Sequence, residues 1–139
     1  MLEIKFGKPE FDKSRIESRI TIQIYCKDYQ YEFEGEVFHT TIADQFTLRK
    51  KYKSGLVEFS GMLFEFAQEG EEIDPWNYPH RSRFYKFKGK SIENILNQIR
   101  KLRREKKYIE TLLKAVKEAN ERLKPIEREN YKLIFLHLI

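Results

Sequence analysis

This chain has little of what catalysis, export or membrane insertion requires. It has one cysteine, Cys26, so no internal disulfide can form. Cys26 sits within an apolar alternation, which points to a buried thiol in a reducing compartment. The three histidines, His39, His80 and His137, lie far apart. None stands at metal-ligand spacing from a Cys, Asp or Glu motif. There is no glycine-rich phosphate loop, nucleophile elbow or Cys-His signature. Glu32, Glu34 and Glu36 have strand spacing and read as a solvated face, and Glu69, Glu71, Glu72 and Asp74 crowd a loop. A metal-dependent nuclease would need such carboxylates gathered in a cleft. The expectation is therefore no catalytic residue, no metal and no cofactor. The longest apolar run, Leu133-Ile134-Phe135-Leu136, continues to Ile139 only across His137. It falls far short of the ~20 residues that span a bilayer. Met1-Leu2-Glu3-Ile4-Lys5 lacks the apolar core of a signal peptide. A cytoplasmic protein with no membrane partner is expected.

What is present is charge, unevenly placed. The 139 residues suffice for one domain, 1–139, with 40% hydrophobic and 35% charged residues. Residues 1–80 carry 10 Lys/Arg against 15 Asp/Glu, whereas residues 81–109 carry 11 against 2. The net +5 is thus concentrated in one run. Such asymmetry points to an acidic partner, or to self-association of an acidic face with a basic one.

The first half reads as strands. From Ile20 to Cys26 the isoleucines alternate with mostly polar residues, the period of a half-buried strand. Tyr29 to Val37 repeats the pattern, so a hairpin turning at Asp28-Tyr29 is expected, with Ile24 facing Phe33. A register shifted by two residues fits almost as well. A second hairpin turns at Ser54-Gly55, with Tyr52 facing Val57 and Lys51 facing Glu58. Residues 56–67 read as strand with Gly61 at a bulge or turn. Leu56, Phe59, Leu63 and Phe66 also fit a helical face, so helix competes there. Tyr131 to Ile139 has apolar residues on both parities and reads as a strand covered on both faces. The fold class expected is α+β: a twisted antiparallel sheet of five or six strands, one long helix and a C-terminal strand.

The helix is expected over 91–124. Ser91 is its N-cap and Glu93 lies in its first turn. Pro125 stops it at Lys124. Ile92, Ile95, Ile99, Leu102, Ile109, Leu113, Val116 and Leu123 form its apolar stripe, with Lys106 and Asn120 filling the two polar slots. At ~100° per residue Arg100, Arg103, Arg104 and Lys107 gather on the opposite side, with Tyr108 beside Arg104.

Before the helix, Arg81-Ser82-Arg83-Phe84-Tyr85-Lys86-Phe87-Lys88-Gly89-Lys90 interleaves bases with aromatics. As a strand it places Phe84, Lys86 and Lys88 on one face and Arg83, Tyr85 and Phe87 on the other. Cations that meet phosphates beside rings that stack bases are the parts of a single-strand binding surface. Trp76 stands in a stiff loop between Pro75 and Pro79.

The function these features favour is a non-enzymatic nucleic-acid-binding protein. Arg100, Arg103, Arg104 and Lys107 would meet phosphates, aided by Arg81, Arg83, Lys86, Lys88 and Lys90, and Tyr85, Tyr108 or Trp76 would stack. The rival is a protein-interaction module, either a homodimer or an inhibitor or adaptor that grips an acidic protein. It would assemble through the long helix and the C-terminal strand.

Overall fold

The computed structural model describes residues 1–68, 70–72, 76 and 79–137. Among these residues six strands precede three helices: β1 (Glu3–Phe6), β2 (Glu10–Asp12), β3 (Glu17–Phe33), β4 (Glu36–Lys51), β5 (Leu56–Phe66), β6 (His80–Gly89), α1 (Ile92–Ile99), α2 (Lys106–Glu129) and α3 (Tyr131–Leu136). The strands form one antiparallel sheet in the order β1-β3-β4-β5-β6, with β2 beside β1 on the outer edge of β3. The fold is α+β.

The isoleucine alternation of β3 works as expected. Ile20, Ile22, Ile24 and Cys26 are buried and stand opposite Leu48, Phe46, Asp44 and Ile42 of β4. No turn occurs at Asp28-Tyr29. The chain runs straight through, and Lys27 and Asp28 together oppose Thr41 in a β-bulge between Cys26 and Tyr29. One extra residue resets the alternation, so Cys26, Tyr29 and Tyr31 all point inward. Thr41 Oγ1 donates to the Lys27 carbonyl at 2.8 Å, and His39 Nδ1 lies 3.0 Å from Asp28, which fastens the bulge. The turn falls instead at Glu34-Gly35, both at positive φ, as a two-residue hairpin loop requires. Ile24 therefore faces Asp44, not Phe33.

The second hairpin is also shifted. Four residues, Tyr52 to Gly55, separate paired Lys51 and Leu56, so Arg49 stands opposite Glu58. Lys51 still reaches Glu58 diagonally, with Nζ 2.8 Å from the carboxylate. Tyr52 turns back to share a 2.8 Å hydrogen bond with Ser18. Residues 56–66 are strand, and Gly61 makes neither bulge nor turn. It sits in register between Phe46 and Tyr85. A Cβ there would lie 2.3 Å from the Gln45 carbonyl oxygen and 2.5 Å from Phe46 Cβ. Glycine is needed for that close approach. β5 pairs with β4 only from Leu56 to Met62 and then continues with β6 alone to Phe66.

That parting decides the helices. The expected single helix over 91–124 is broken. Ser91 does cap α1, its Oγ accepting from Asn94 N–H at 3.2 Å. The chain then leaves the helix at Arg100 and re-enters at Lys106. Between them the Arg103 carbonyl accepts the Phe66 N–H at 2.9 Å, and Arg104 Nη1 donates to the Phe64 carbonyl at 3.0 Å. The connector thus satisfies backbone groups that β5 exposes after leaving β4, and it gives up helical bonds to do so. Lys106 becomes the first residue of α2 and faces water, not an apolar stripe. The buried line of α2 is Tyr108, Leu112, Ala115, Val116, Ala119 and Leu123, while Ile109 and Leu113 flank it. Pro125 does not end the helix. It lies on the exposed side, so the helical bond it cannot make leaves only a solvent-facing carbonyl short. Ile126 packs on the core, and Glu127 holds Lys50 at 3.0 Å, carrying α2 on to Glu129.

The expected C-terminal strand is helix α3 over Tyr131–Leu136. An apolar run on both parities fits a helix as well as a doubly covered strand. Here Ile134 alone is buried. Leu138 and Ile139 lie outside the described residues, as do Glu69, Ile73, Asp74, Pro75, Asn77 and Tyr78 of the β5–β6 connection. Among the described residues no helix is long and apolar enough to cross a membrane.

Arg104 and Asp44 meet in the core. The Arg104 guanidinium lies 3.8 Å from the Tyr108 ring centroid, and the Tyr108 hydroxyl donates to the Asp44 carboxylate. Burial raises the Asp44 pKa to about 6, against the opposing pull of the Tyr108 hydroxyl, the Arg104 charge and the Phe64 N–H.

Two predictions follow from the fold. Gly61→Ala should lose at least about 1–3 kcal/mol in urea unfolding, the usual cost of overpacking. An unchanged midpoint would mean that β4 and β5 do not approach so closely. For Asp44, the folded state binds the proton more tightly than the unfolded chain does, whose carboxyl titrates near 4. The stabilisation is therefore fully present below pH ~4 and lost as pH rises through about 6. Relative to Asp44→Asn, the parent should lose on the order of 2–3 kcal/mol between pH 4 and 7. Parallel stability curves for the two proteins would contradict this.

Candidate nucleic-acid interface

The helices cover one face of the sheet and leave the other open. On β6 the expected alternation holds. Phe84, Lys86 and Lys88 point to the open face, while Arg81, Arg83, Tyr85 and Phe87 point to the helix side. Strand register sets the open-face residues in cross-sheet rows. Arg19, Arg49, Glu58 and Lys88 form one row. Thr21, Thr47, Ser60 and Lys86 form the next, and Gln23, Gln45, Met62 and Phe84 the third. With neighbouring strands ~4.8 Å apart, each row is a short ladder of side chains across the sheet.

One end of the face is cationic and the other apolar. Phe84 is 60% exposed and Met62 46%, both large for side chains with no polar group. Beside them a groove of about 630 Å³ carries Arg15, Arg49, Lys51 and Lys86 against Glu17 and Glu58. Glu58 is buried beneath its neighbours, with Lys51 Nζ at 2.8 Å and Lys86 and Lys88 Nζ each at 3.7 Å. Burial pushes its carboxyl up. The hydrogen bond from Lys51 and the charges of the three lysines outweigh that and hold it below the ordinary value. Arg49 Nη1 donates to Ser60 Oγ on the neighbouring strand at 3.2 Å.

The basic residues singled out in the sequence do not form one surface. Lys86 and Lys88 lie on the open face, with Lys90 exposed just beyond β6. Arg81, Arg83 and Tyr85 lie on the other side and converge on Glu65: Arg81 Nη2 at 2.6 Å, Arg83 at 3.6 Å and the Tyr85 hydroxyl in direct hydrogen bond. Arg100 is exposed and binds Asn97 at 2.6 Å and Glu93 at 3.5 Å. Arg103 stands 3.9 Å from Glu71. Arg104 and Tyr108 are in the core, so neither is at the surface where phosphates or bases would approach. The helix face proposed for Arg100, Arg103, Arg104 and Lys107 does not exist, because the connector separates Lys107 from the rest. Lys107 is exposed on the first turn of α2, and Trp76 is exposed on the β5–β6 connection.

Sequence reasoning missed Arg15, Arg19, Arg49, Lys51 and Met62. For Arg49 and Lys51 a local signal exists, since with Gln45 and Thr47 they alternate with Phe46 and Leu48. Nothing local showed that they share a face with Lys86, since that depends on the registers of two hairpins. Among the described residues no three His, Cys, Asp or Glu converge as a metal site would need. Comparison with protein-family models, with curated proteins and with solved structures finds no match.

Proposed function

We propose that this protein binds single-stranded nucleic acid on the open face of its sheet. The observation that carries the reading is the juxtaposition of exposed Phe84 with Arg49, Lys51, Lys86 and Lys88 on one uncovered face. An open sheet face that presents a ring beside cations can stack a base while neighbouring phosphates are neutralised, without reading sequence. The parts differ from those suggested by the chain's basic run. Strand β6 contributes, and the connector between the helices does not.

Fluorescence anisotropy with a labelled oligonucleotide tests this. With three to four phosphates neutralised, log K should fall with log salt at a slope of about −2 to −3. Arg49→Glu with Lys86→Glu should abolish most binding, and Phe84→Ala should cost about 1–3 kcal/mol. No binding at low salt, or an unaffected double variant, would end the proposal.

A second reading, self-association as an interaction module, has one observation in its favour. Tyr131, Phe135 and Leu136 of α3 are exposed together, with Tyr131 and Phe135 stacked at 5.8 Å. Light scattering should then give a dimer mass at micromolar concentration that Phe135→Ser with Leu136→Ser reduces to a monomer. A monomeric parent counts against it.

A further inference from the structure

The helix side of β6 holds a second cationic feature, separate from the open face. Strand β6, the end of β5, α1 and the connector border an open cleft of about 390 Å³. That falls within the roughly 300–1,000 Å³ usual for small-ligand sites. Arg83, Lys101 and Arg103 line it, with Glu65 as the one carboxylate among the described lining residues. Glu65 is engaged closely by Arg81 and the Tyr85 hydroxyl and only at 3.6 Å by Arg83, so one carboxylate is shared among more cations than it can fully pair. Arg103 Nη2 is buried and, among the described residues, has no hydrogen-bond acceptor. Among the described residues its ion-pair partner is Glu71, with a carboxylate oxygen 3.9 Å away. A buried guanidinium nitrogen left unsatisfied is costly, and beside a cavity an anion would relieve it. Lys101 is exposed at the rim and, among the described residues, has no acid in ion-pair reach.

Part of the remaining lining is apolar. Tyr85, Phe87 and Leu102 form it, and the Arg83 guanidinium lies 5.3 Å from the Tyr85 ring centroid. Gln98 completes the wall. Its amide nitrogen donates to the Lys88 carbonyl at 2.8 Å, which fixes its orientation. Two planar guanidinium forks suit the oxygens of a phosphate, and the aromatic wall suits a planar ring. From this we infer that the cleft between β6 and the α1–α2 connector binds a small phosphate ester carrying an aromatic ring, a nucleoside monophosphate being the simplest. The inference does not rest on the reading of the open face, since the two sites lie on opposite sides of β6 and share no residue.

Isothermal titration with adenosine monophosphate, adenosine and inorganic phosphate tests it on the full chain. Adenosine monophosphate should bind, and the other two should each bind at least about tenfold more weakly, since each supplies only half of the contacts. Arg103→Gln should weaken adenosine monophosphate by about ten- to hundredfold, the worth of a charge-assisted hydrogen bond. Lys101→Gln, at an exposed site where folding is not at risk, should weaken it several-fold. Phe84→Ala and Arg49→Glu on the open face should leave it unchanged while reducing oligonucleotide binding. The inference is overturned by any of three results: no binding at roughly millimolar ligand; inorganic phosphate equal to the nucleotide; or affinity lost only through the open-face substitutions.

Discussion

The structure turns on the point where β5 leaves β4. At Gly61 the two strands come so close that no side chain fits between them. One residue later they separate. Beyond that point the backbone of β5 has one paired edge and one free edge, and a buried free edge cannot stay unpaired. The connector's Arg103 carbonyl and Arg104 guanidinium close it. To reach that edge the chain must stop being helical for six residues, 100–105, and this redirects everything downstream. α1 is left beside β5 and β6, and α2 lies across β3 and β4. The cleft behind β6 and the uncovered sheet in front of it both result from this division of the helices.

Arg104 shows how a charge can belong to a core. Its guanidinium meets a carbonyl, the Glu105 carboxylate and the face of Tyr108, and Tyr108 in turn caps Asp44. A buried cation and a buried acid are costly singly, and tolerable when each is hydrogen-bonded and near the other. The run 81–109 therefore carries less free charge than its composition implies. Arg104 is internal, Arg81 is bound to Glu65 and Glu71, and Lys86 and Lys88 hold Glu58 between them.

Much of the architecture was legible in the sequence, because the strand signals are local. The alternation of Ile20 to Cys26 and the two faces of β6 follow from a period of two. The break in the helix was not legible, because its cause is forty residues away. Phe64 and Phe66 claim the connector, and no pattern within 91–124 records that claim. Register failed for a related reason. The first turn looked plausible at Asp28-Tyr29 because a bulge and a turn both interrupt alternation, and only Glu34-Gly35 has the backbone freedom a two-residue loop needs. The reading of the candidate surface inherited these errors. Arg104 and Tyr108 were read as outward and are buried, and which of the other residues share a face depends on registers that only the folded sheet fixes.

Glu58 has a consequence beyond its charge. It lies under Lys51, Lys86 and Lys88 and draws their ammonium groups toward one point, which narrows the rotamers each can visit. Ordering a long side chain on binding normally costs about 0.5–1.5 kcal/mol. Much of that ordering is already done here by the fold. An anion arriving at this face competes with a carboxylate for the lysines, and so gains less enthalpy from each. It also has less disorder to remove. If an anion binds there as proposed, the arrangement would favour quick exchange of weakly held ligands over tight retention of one.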